Sequence, residues 1–449
     1  MAEDGQVDVG LLKQLTLLFG CGVIGFDVQL QGIGHARLDA VAQVEFEVPG
    51  ESTQQQDAFF KQLMGFGDDG FGLHGFVNKR LAMKTHSNVY AKIVSFDNLL
   101  RATLKAQKGK KGKSDVELFN CHLEENLLQL QAELMQKTYQ PGPYRSFFIH
   151  DPKKRMISAA PYRDRVVHHA LCNVIAPLFE KTFIRDSYAN QINKGTHMAI
   201  ERYQEFAKHN TFVLKCDIRK FFPSIDHEVL KKELRWKVTC KDTLALCDLI
   251  IDASNPQEEH IVYFPGDDLF SPHARRRGLP IGNLTSQHWA NVYLNRFDHF
   301  VKEKLSVKDY IRYVDDFVLF SNSKETLWNW KLQIEAYLQE LRLILHPNKS
   351  QIHRVANGVP FLGFKLYPYH RQVLKQNIRR YRRFLRKKLK IRTEGRLNPE
   401  HLEGGLNSWL GHIRFGASMR LEYKTFWYLR QHGVNLFRHP GGSWRVLEQ

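Results

Sequence analysis

Residues 312–320 read Arg-Tyr-Val-Asp-Asp-Phe-Val-Leu-Phe. Aromatic and β-branched residues at this density belong to a strand that packs into a core. Two adjacent carboxylates within it are expensive to bury unless something neutralises them. A divalent cation, which prefers hard oxygen ligands, would do so. A polar hairpin turn that happens to carry Asp-Asp is the alternative. The spacing predicts a hairpin over Ile311–Ser321 with Asp315 and Asp316 near its tip.

A second carboxylate closes another apolar run, Phe212-Val-Leu-Lys-Cys-Asp217. Brought together, Asp217, Asp315 and Asp316 can hold two Mg²⁺ ions. Ions about 3.5–4 Å apart activate an attacking hydroxyl and stabilise a leaving pyrophosphate. Carboxylate clusters also serve hydrolases, so this chemistry alone does not name the reaction.

Charge narrows the partners. The chain carries +18 overall, but residues 1–82 hold 11 acidic and 5 basic side chains, leaving +24 on the rest. A strongly basic body implies a polyanion, most often nucleic acid. Cys21, Cys121, Cys172, Cys216, Cys240 and Cys247 form no C-x-x-C pair, so neither zinc nor a disulfide framework is indicated. A cytoplasmic, non-membrane protein is expected. Residues 11–30 are the most apolar stretch, but Gly20, Gly22, Gly25 and Asp27 interrupt them, and no basic segment marks a signal peptide.

The organisation reads as α+β. Residues 1–82 contain 13 of the 30 glycines and form an N-terminal extension. Lys108–Lys113 is a basic loop. A single helix is expected over 115–137, with Leu123, Leu127, Leu130 and Leu134 on one stripe. Short strands and helices alternate from 140 to 360, including a strand at Thr211–Asp217 and helices at His227–Lys237, Leu284–Phe297 and Leu327–Leu341. From 371 the pattern turns helical, with Leu374, Ile378, Tyr381, Leu385 and Leu389 on one face and Arg379, Arg380, Arg382, Arg383, Arg386, Lys387 and Lys390 on the other. Asp226 and Asp298 read as helix caps or surface residues.

The ordered motifs resemble those of reverse transcriptases. Tyr313-Val-Asp-Asp316 resembles the aromatic-x-Asp-Asp box, and Asp217 with Phe221-Phe222 the first catalytic box. Lys153–Arg165 resembles the fingers segment that meets triphosphate, and Ser187–His197 the box after it. Leu345-His-Pro-Asn-Lys-Ser350 and Phe361-Leu-Gly-Phe364 resemble late palm boxes, the second being the primer grip. Ser408-Trp-Leu-Gly-His412 resembles a thumb motif of bacterial members. The resemblance covers roughly 85–430 and implies a right-hand polymerase: fingers 83–210, palm 211–368 with a small antiparallel sheet, thumb and tail 369–449. The extension at 1–82 departs from the family, whose members usually begin near the equivalent of Met83.

One segment implies a branch. Most bacterial and viral relatives carry Gln-Gly-x-x-x-Ser-Pro where this chain has Ile281-Gly-Asn-Leu-Thr-Ser-Gln287. That departure resembles the reverse transcriptases of diversity-generating retroelements. These copy a template-repeat RNA into cDNA with errors opposite adenine, in mutagenic retrohoming, and work with a small basic oligomeric accessory protein. The resemblance implies two Mg²⁺ on Asp217, Asp315 and Asp316, with Lys349 protonating pyrophosphate. It places Lys153, Arg155, Arg163, Phe222, Ile281, Gly282 and Gln287 around the nucleotide, Phe222 as a steric gate against a ribose 2′-hydroxyl. Phe361, Gly363, Arg379, Arg383, Arg386 and Trp409 would contact the RNA–DNA duplex. Two other readings stay open. One is a group II intron-type or defence-associated reverse transcriptase, the former weakened because no maturation or endonuclease segment follows the thumb motif. The other is a basic RNA-binding scaffold with vestigial polymerase, against which the intact aspartates argue.

Overall fold

The alternation of side chains along the central strands decides the architecture. In a computed structural model of the protein, the described residues are 86–110, 112–150, 154–255, 257, 261–393 and 399–447. The chain divides into two units, Met1–Met83 and Lys84–Gln449, and all described residues belong to the second. The expected extension at 1–82 lies outside them, as does Lys153.

Four antiparallel strands, β3 (Phe212–Asp217), β4 (Tyr310–Tyr313), β5 (Asp316–Ser321) and β6 (Gln351–Arg354), form a sheet in the order β4-β5-β3-β6. Its central strands are nearly continuous apolar runs because both faces are covered. Leu214, Cys216, Tyr310, Phe317 and Leu319 point into one core, with Phe297 and Leu338. Val213, Ile311, Val318 and Phe320 point into another, with Tyr203 and Phe361. This period of two lets one short sheet serve two cores.

Helices surround the sheet. Upstream, α1 (Phe96–Ala106) packs on α3 (Tyr162–Glu180), and buried Asn98 bonds the Ile93 and Ala170 carbonyls at 2.9 and 3.0 Å. The helix expected over 115–137 is two, Ser114–Cys121 and α2 (Leu123–Gln136), broken at His122, whose φ −119°, ψ 47° is not helical. Leu127, Leu130 and Leu134 are buried as the stripe predicts. Strands β1 (Arg145–Ile149) and β2 (Arg155–Ala159) form a separate hairpin, β1 exposed throughout. Then come α4 (Thr196–Ala207), α5 (His227–Arg235), α6 (Lys241–Asp252), α7 (Leu284–Tyr293) and α8 (Lys324–Glu340).

Beyond the central sheet, β7 (Val359–Phe361), β8 (Phe364–Leu366) and β9 (Arg371–Val373) make a three-stranded sheet. The helical pattern expected from 371 therefore begins later, because 371–373 complete this sheet. It runs as α9 (Lys375–Thr393), followed by α10 (Pro399–Phe415) and α11 (Met419–Gln431). Leu385 and Leu389 are buried while Arg379, Arg383 and Arg386 are exposed, as the amphipathic pattern requires. No described helix is long and apolar enough to cross a membrane.

Candidate active site

Asp217 ends β3 and Asp316 begins β5, and the two are direct partners in the antiparallel register. Asp315 occupies the β4–β5 turn, where its carbonyl accepts from the Ile218 N–H at 3.3 Å. The residue before it, Val314, has φ 58°, a left-handed conformation that β-branched residues rarely adopt. The sheet thus brings the three predicted aspartates to one end of two adjacent strands.

Asp315 keeps some solvent contact but is crowded by protein. Burial, then the charges of Asp316 and Asp217, push its carboxyl up to about 7, against an opposing pull from Arg155. Crowded carboxylates that raise one another's affinity for protons mark a place where positive charge is wanted. Lys349 supplies one such charge, its Nζ lying 2.9 and 3.0 Å from the two Asp217 oxygens. The segment carrying it is tied down by the His346 N–H, which donates to the Asp217 carbonyl at 2.7 Å. Among the described residues no three His, Cys, Asp or Glu side chains are gathered into a ready metal cage. The donor set nevertheless suits Mg²⁺: hard carboxylate oxygens, few and partly solvated.

The loop containing Ile281 is stapled on both sides. Gly278 N–H donates to the Ile225 carbonyl at 2.8 Å and Leu279 N–H to the Phe222 carbonyl at 2.9 Å, while the Ile281 carbonyl accepts from Ser158 of β2 at 3.1 Å. The loop therefore joins the β1–β2 hairpin to the short helix Phe221–Ser224 that follows β3. Phe221 is buried; Phe222 is half-buried, edge-to-face with it at 5.6 Å. Gly282 needs glycine, with φ 122° and Ile157 Cγ2 only 3.2 Å from any added Cβ. Ile281 is half-buried and Gln287 exposed. Sequence reasoning passed over Asn283, buried next in line, whose Nδ2 lies 3.4 Å from the Tyr144 hydroxyl.

Arg155 is exposed at the start of β2. Arg163 is already engaged: it pairs with Glu133 and covers the Tyr139 ring at 5.3 Å. Phe361 and Trp409 are both packed inside the protein. The Phe361 ring is buried and stacked on Tyr203 at 5.6 Å. Trp409 is 7% exposed, stacked on Tyr381 at 4.3 Å, with its N–H bonded to Thr425. Phe361 is a core residue, whereas Trp409 also lines the groove between α9 and α11. Gly363, at φ 91°, turns the β7–β8 hairpin, and its carbonyl accepts from Asn377 of α9 at 3.0 Å. Asp226 caps α5 through the Glu228 and Val229 N–H groups, yet is fully buried and pairs with Arg342. Asp298 is neither cap nor surface residue but lies wholly inside the protein, bound to Arg312. Between α9 and α11 runs a groove of about 630 Å³ with Arg382, Arg386 and Lys424 in its lining and the exposed rings of Tyr423 and Trp427 beside them.

Residues 149–366 match the family model described as reverse transcriptase (RNA-dependent DNA polymerase). The match runs from the end of β1 to the end of β8 and holds Asp217, Asp315, Asp316 and Lys349. The chain carries a reverse-transcriptase domain. Protein YkfC of Escherichia coli (strain K12) is 25% identical over 295 residues, covering 56% of this chain and 73% of YkfC. Group II intron-encoded protein LtrA of Lactococcus lactis subsp. cremoris is 24% identical over 182 residues, 40% of this chain and 28% of LtrA. Putative COX1/OXI3 intron 1 protein of Saccharomyces cerevisiae is 22% identical over 183 residues, covering 40% of this chain and 21% of that protein. The chain thus spans under a third of these two intron proteins. A structure of apo telomerase from Candida Tropicalis aligns with 55% of this chain and 53% of that one, at TM-score 0.39 and 12% identity, too low to carry anything further. The reverse-transcriptase domain is related to intron-type members.

Proposed function

We propose that this protein is an RNA-directed DNA polymerase with a right-hand arrangement: fingers over 83–210, palm over 211–368, thumb from 369. The observation that carries the reading is the register of Asp217 against Asp316, with Asp315 in the adjoining turn and Lys349 on Asp217. Asp217, Asp315 and Asp316 would hold two Mg²⁺, which supply Lewis-acid activation of a primer 3′-hydroxyl and neutralise charge on the pyrophosphate. Lys349 stands ready to donate a proton to that leaving group. Phe222 excludes a ribose 2′-hydroxyl. Arg155, with Lys153, meets the triphosphate as guanidinium and ammonium suit phosphate oxygens. Arg379, Arg383 and Arg386 follow the duplex backbone. Primer extension on an RNA template with dNTPs and Mg²⁺ tests this. Wild-type protein should incorporate and D315N should not; a silent wild type, or an active D315N, would overturn it.

The finer reading is mutagenic copying of a template-repeat RNA for a diversity-generating retroelement, with a small basic accessory protein as partner. Ile281 supports it. At that place it presents only apolar surface, and a site without polar groups to leave unpaired discriminates less between bases. Sequencing of cDNA made by wild type and I281Q is the test. Errors concentrated opposite adenine, and fewer of them in I281Q, are expected. The similarity to LtrA favours a second reading, an intron-type enzyme, for which errors would be spread evenly across template bases.

A further inference from the structure

Arg312 immediately precedes the Tyr-Val-Asp-Asp box, and its guanidinium is turned to Asp298. It is completely buried, as is Asp298. Its Nε and Nη2 donate to the two Asp298 oxygens at 2.7 and 2.6 Å. Its Nη1 donates to Asn291 Oδ1 and to the carbonyl oxygen of Val314, each at 3.1 Å. The Tyr310 hydroxyl donates to Asp298 Oδ1 at 2.7 Å, which fixes the carboxylate in turn. The Arg312 backbone is held as well: its N–H donates to the Asp186 carbonyl and its carbonyl accepts from Tyr188, both at 3.0 Å.

Stability alone does not account for such a pair. A wholly buried ion pair gains little over apolar residues of the same volume, because both charges lose their water. What this pair does is set one peptide group. Val314 is β-branched, sits at φ 58° and adjoins Asp315. The left-handed conformation is unfavourable for an L-residue and persists only where the surroundings impose it. The carbonyl on which Arg312 pulls belongs to that residue. Two separate segments, α7 through Asn291 and the helical turn bearing Asp298, converge on the guanidinium, while the Asp186–Tyr188 stretch holds the backbone of the same residue.

We propose that Arg312, anchored by Asp298, is a positioning residue that clamps the Val314 carbonyl and so holds the left-handed turn presenting Asp315 and Asp316 to Asp217. The proposal rests on the polymerase reading for its kinetic consequences but not for its effect on the carboxylates. Lysine at 312 keeps the charge and loses the fork that spans Asp298 and Val314. R312K should bind template-primer and dNTP as wild type does, while kcat falls about 100-fold, the loss expected from small misplacement of reacting groups. Mn²⁺ affinity, measured by calorimetry without nucleic acid or dNTP, should fall about tenfold.

The decisive measurement is the double variant. Glycine adopts positive φ without help, so adding V314G to R312K should recover kcat and Mn²⁺ affinity by about tenfold, the factor that matches the lost strain. If the pair merely stabilises the core, R312K lowers the melting temperature and V314G, which loosens the chain, recovers nothing. Unchanged kcat and Mn²⁺ affinity in folded R312K would also overturn the clamp. Should R312K not fold, D298N, which keeps the shape and removes the anchor's charge, meets the same criteria. A wild type that binds Mn²⁺ but extends no primer removes the polymerase reading and leaves the clamp to be judged on the calorimetry.

Discussion

Replacing Asp315 by asparagine should inactivate the protein and stabilise it in the same step. The Asp315 carboxyl is lifted from an ordinary 3.8 to about 7, first by burial, then by Asp316 and Asp217. The folded state therefore binds this proton more tightly than the unfolded chain, so stability falls as pH rises from about 4 to 7 and the full penalty applies above 7. Some three units at about 1.36 kcal/mol each sets an upper figure of about 4 kcal/mol. Residual solvent contact and rearrangement of the neighbouring cations reduce it to about 2 kcal/mol. Asparagine keeps the size and removes the charge. Urea denaturation followed by circular dichroism, in EDTA at pH 8, should show D315N more stable by about 2 kcal/mol, shrinking to well under half of that at pH 5. Saturating Mg²⁺ should reverse the order by stabilising the wild type alone. A D315N protein no more stable than wild type at pH 8 in EDTA would refute the reasoning, because the fold would then not disfavour the Asp315 charge.

Three other outcomes are expected. K349A should change unfolding free energy by less than about 1 kcal/mol, since its ion pair with Asp217 is partly exposed, yet slow nucleotide incorporation at saturating dNTP in single-turnover kinetics. R379E combined with R383E should weaken template-primer binding across sequences and flatten its salt dependence, by roughly 0.9 in log–log slope for each phosphate no longer neutralised; fluorescence anisotropy between low and moderate salt reads this. His288 is pushed down to about 4 by burial, so the unfolded chain binds its proton more readily, and the stability this contributes is complete above pH 6.5 and lost as pH falls toward 4. H288L should therefore flatten the pH dependence of the unfolding free energy from urea titrations in that window by up to about 1.4 kcal/mol per pH unit.

Much of the central fold is legible in the chain because it follows from local period. The alternation in Phe212–Asp217 and Asp316–Ser321, the turn at Val314 and the apolar stripe of α9 depend on neighbours within a few residues. Long-range pairing is not legible in this way. Phe361 and Trp409 have the same sequence context whatever their rings meet; only Tyr203 and Tyr381, distant in sequence, show the packing each ring makes. The pairing of Arg163 with Glu133, thirty residues upstream, is likewise absent from any local pattern.

The same reasoning separates the two kinds of charge in the 312–320 strand. Asp315 and Asp316 break an apolar pattern, and the cost of burying two adjacent carboxylates is itself the signal that reads as a cation site. Arg312 breaks that pattern three residues earlier at a similar cost, but its answer is another side chain of the same protein. The chain contains 47 carboxylates, and no local rule singles out Asp298 among them. A charge whose compensation comes from outside the protein can be read from sequence, whereas one compensated from within stays silent until the fold supplies the partner. Arg312 therefore shows in the sequence only its place in a strand, although in the structure it holds the turn on which the legible pair depends.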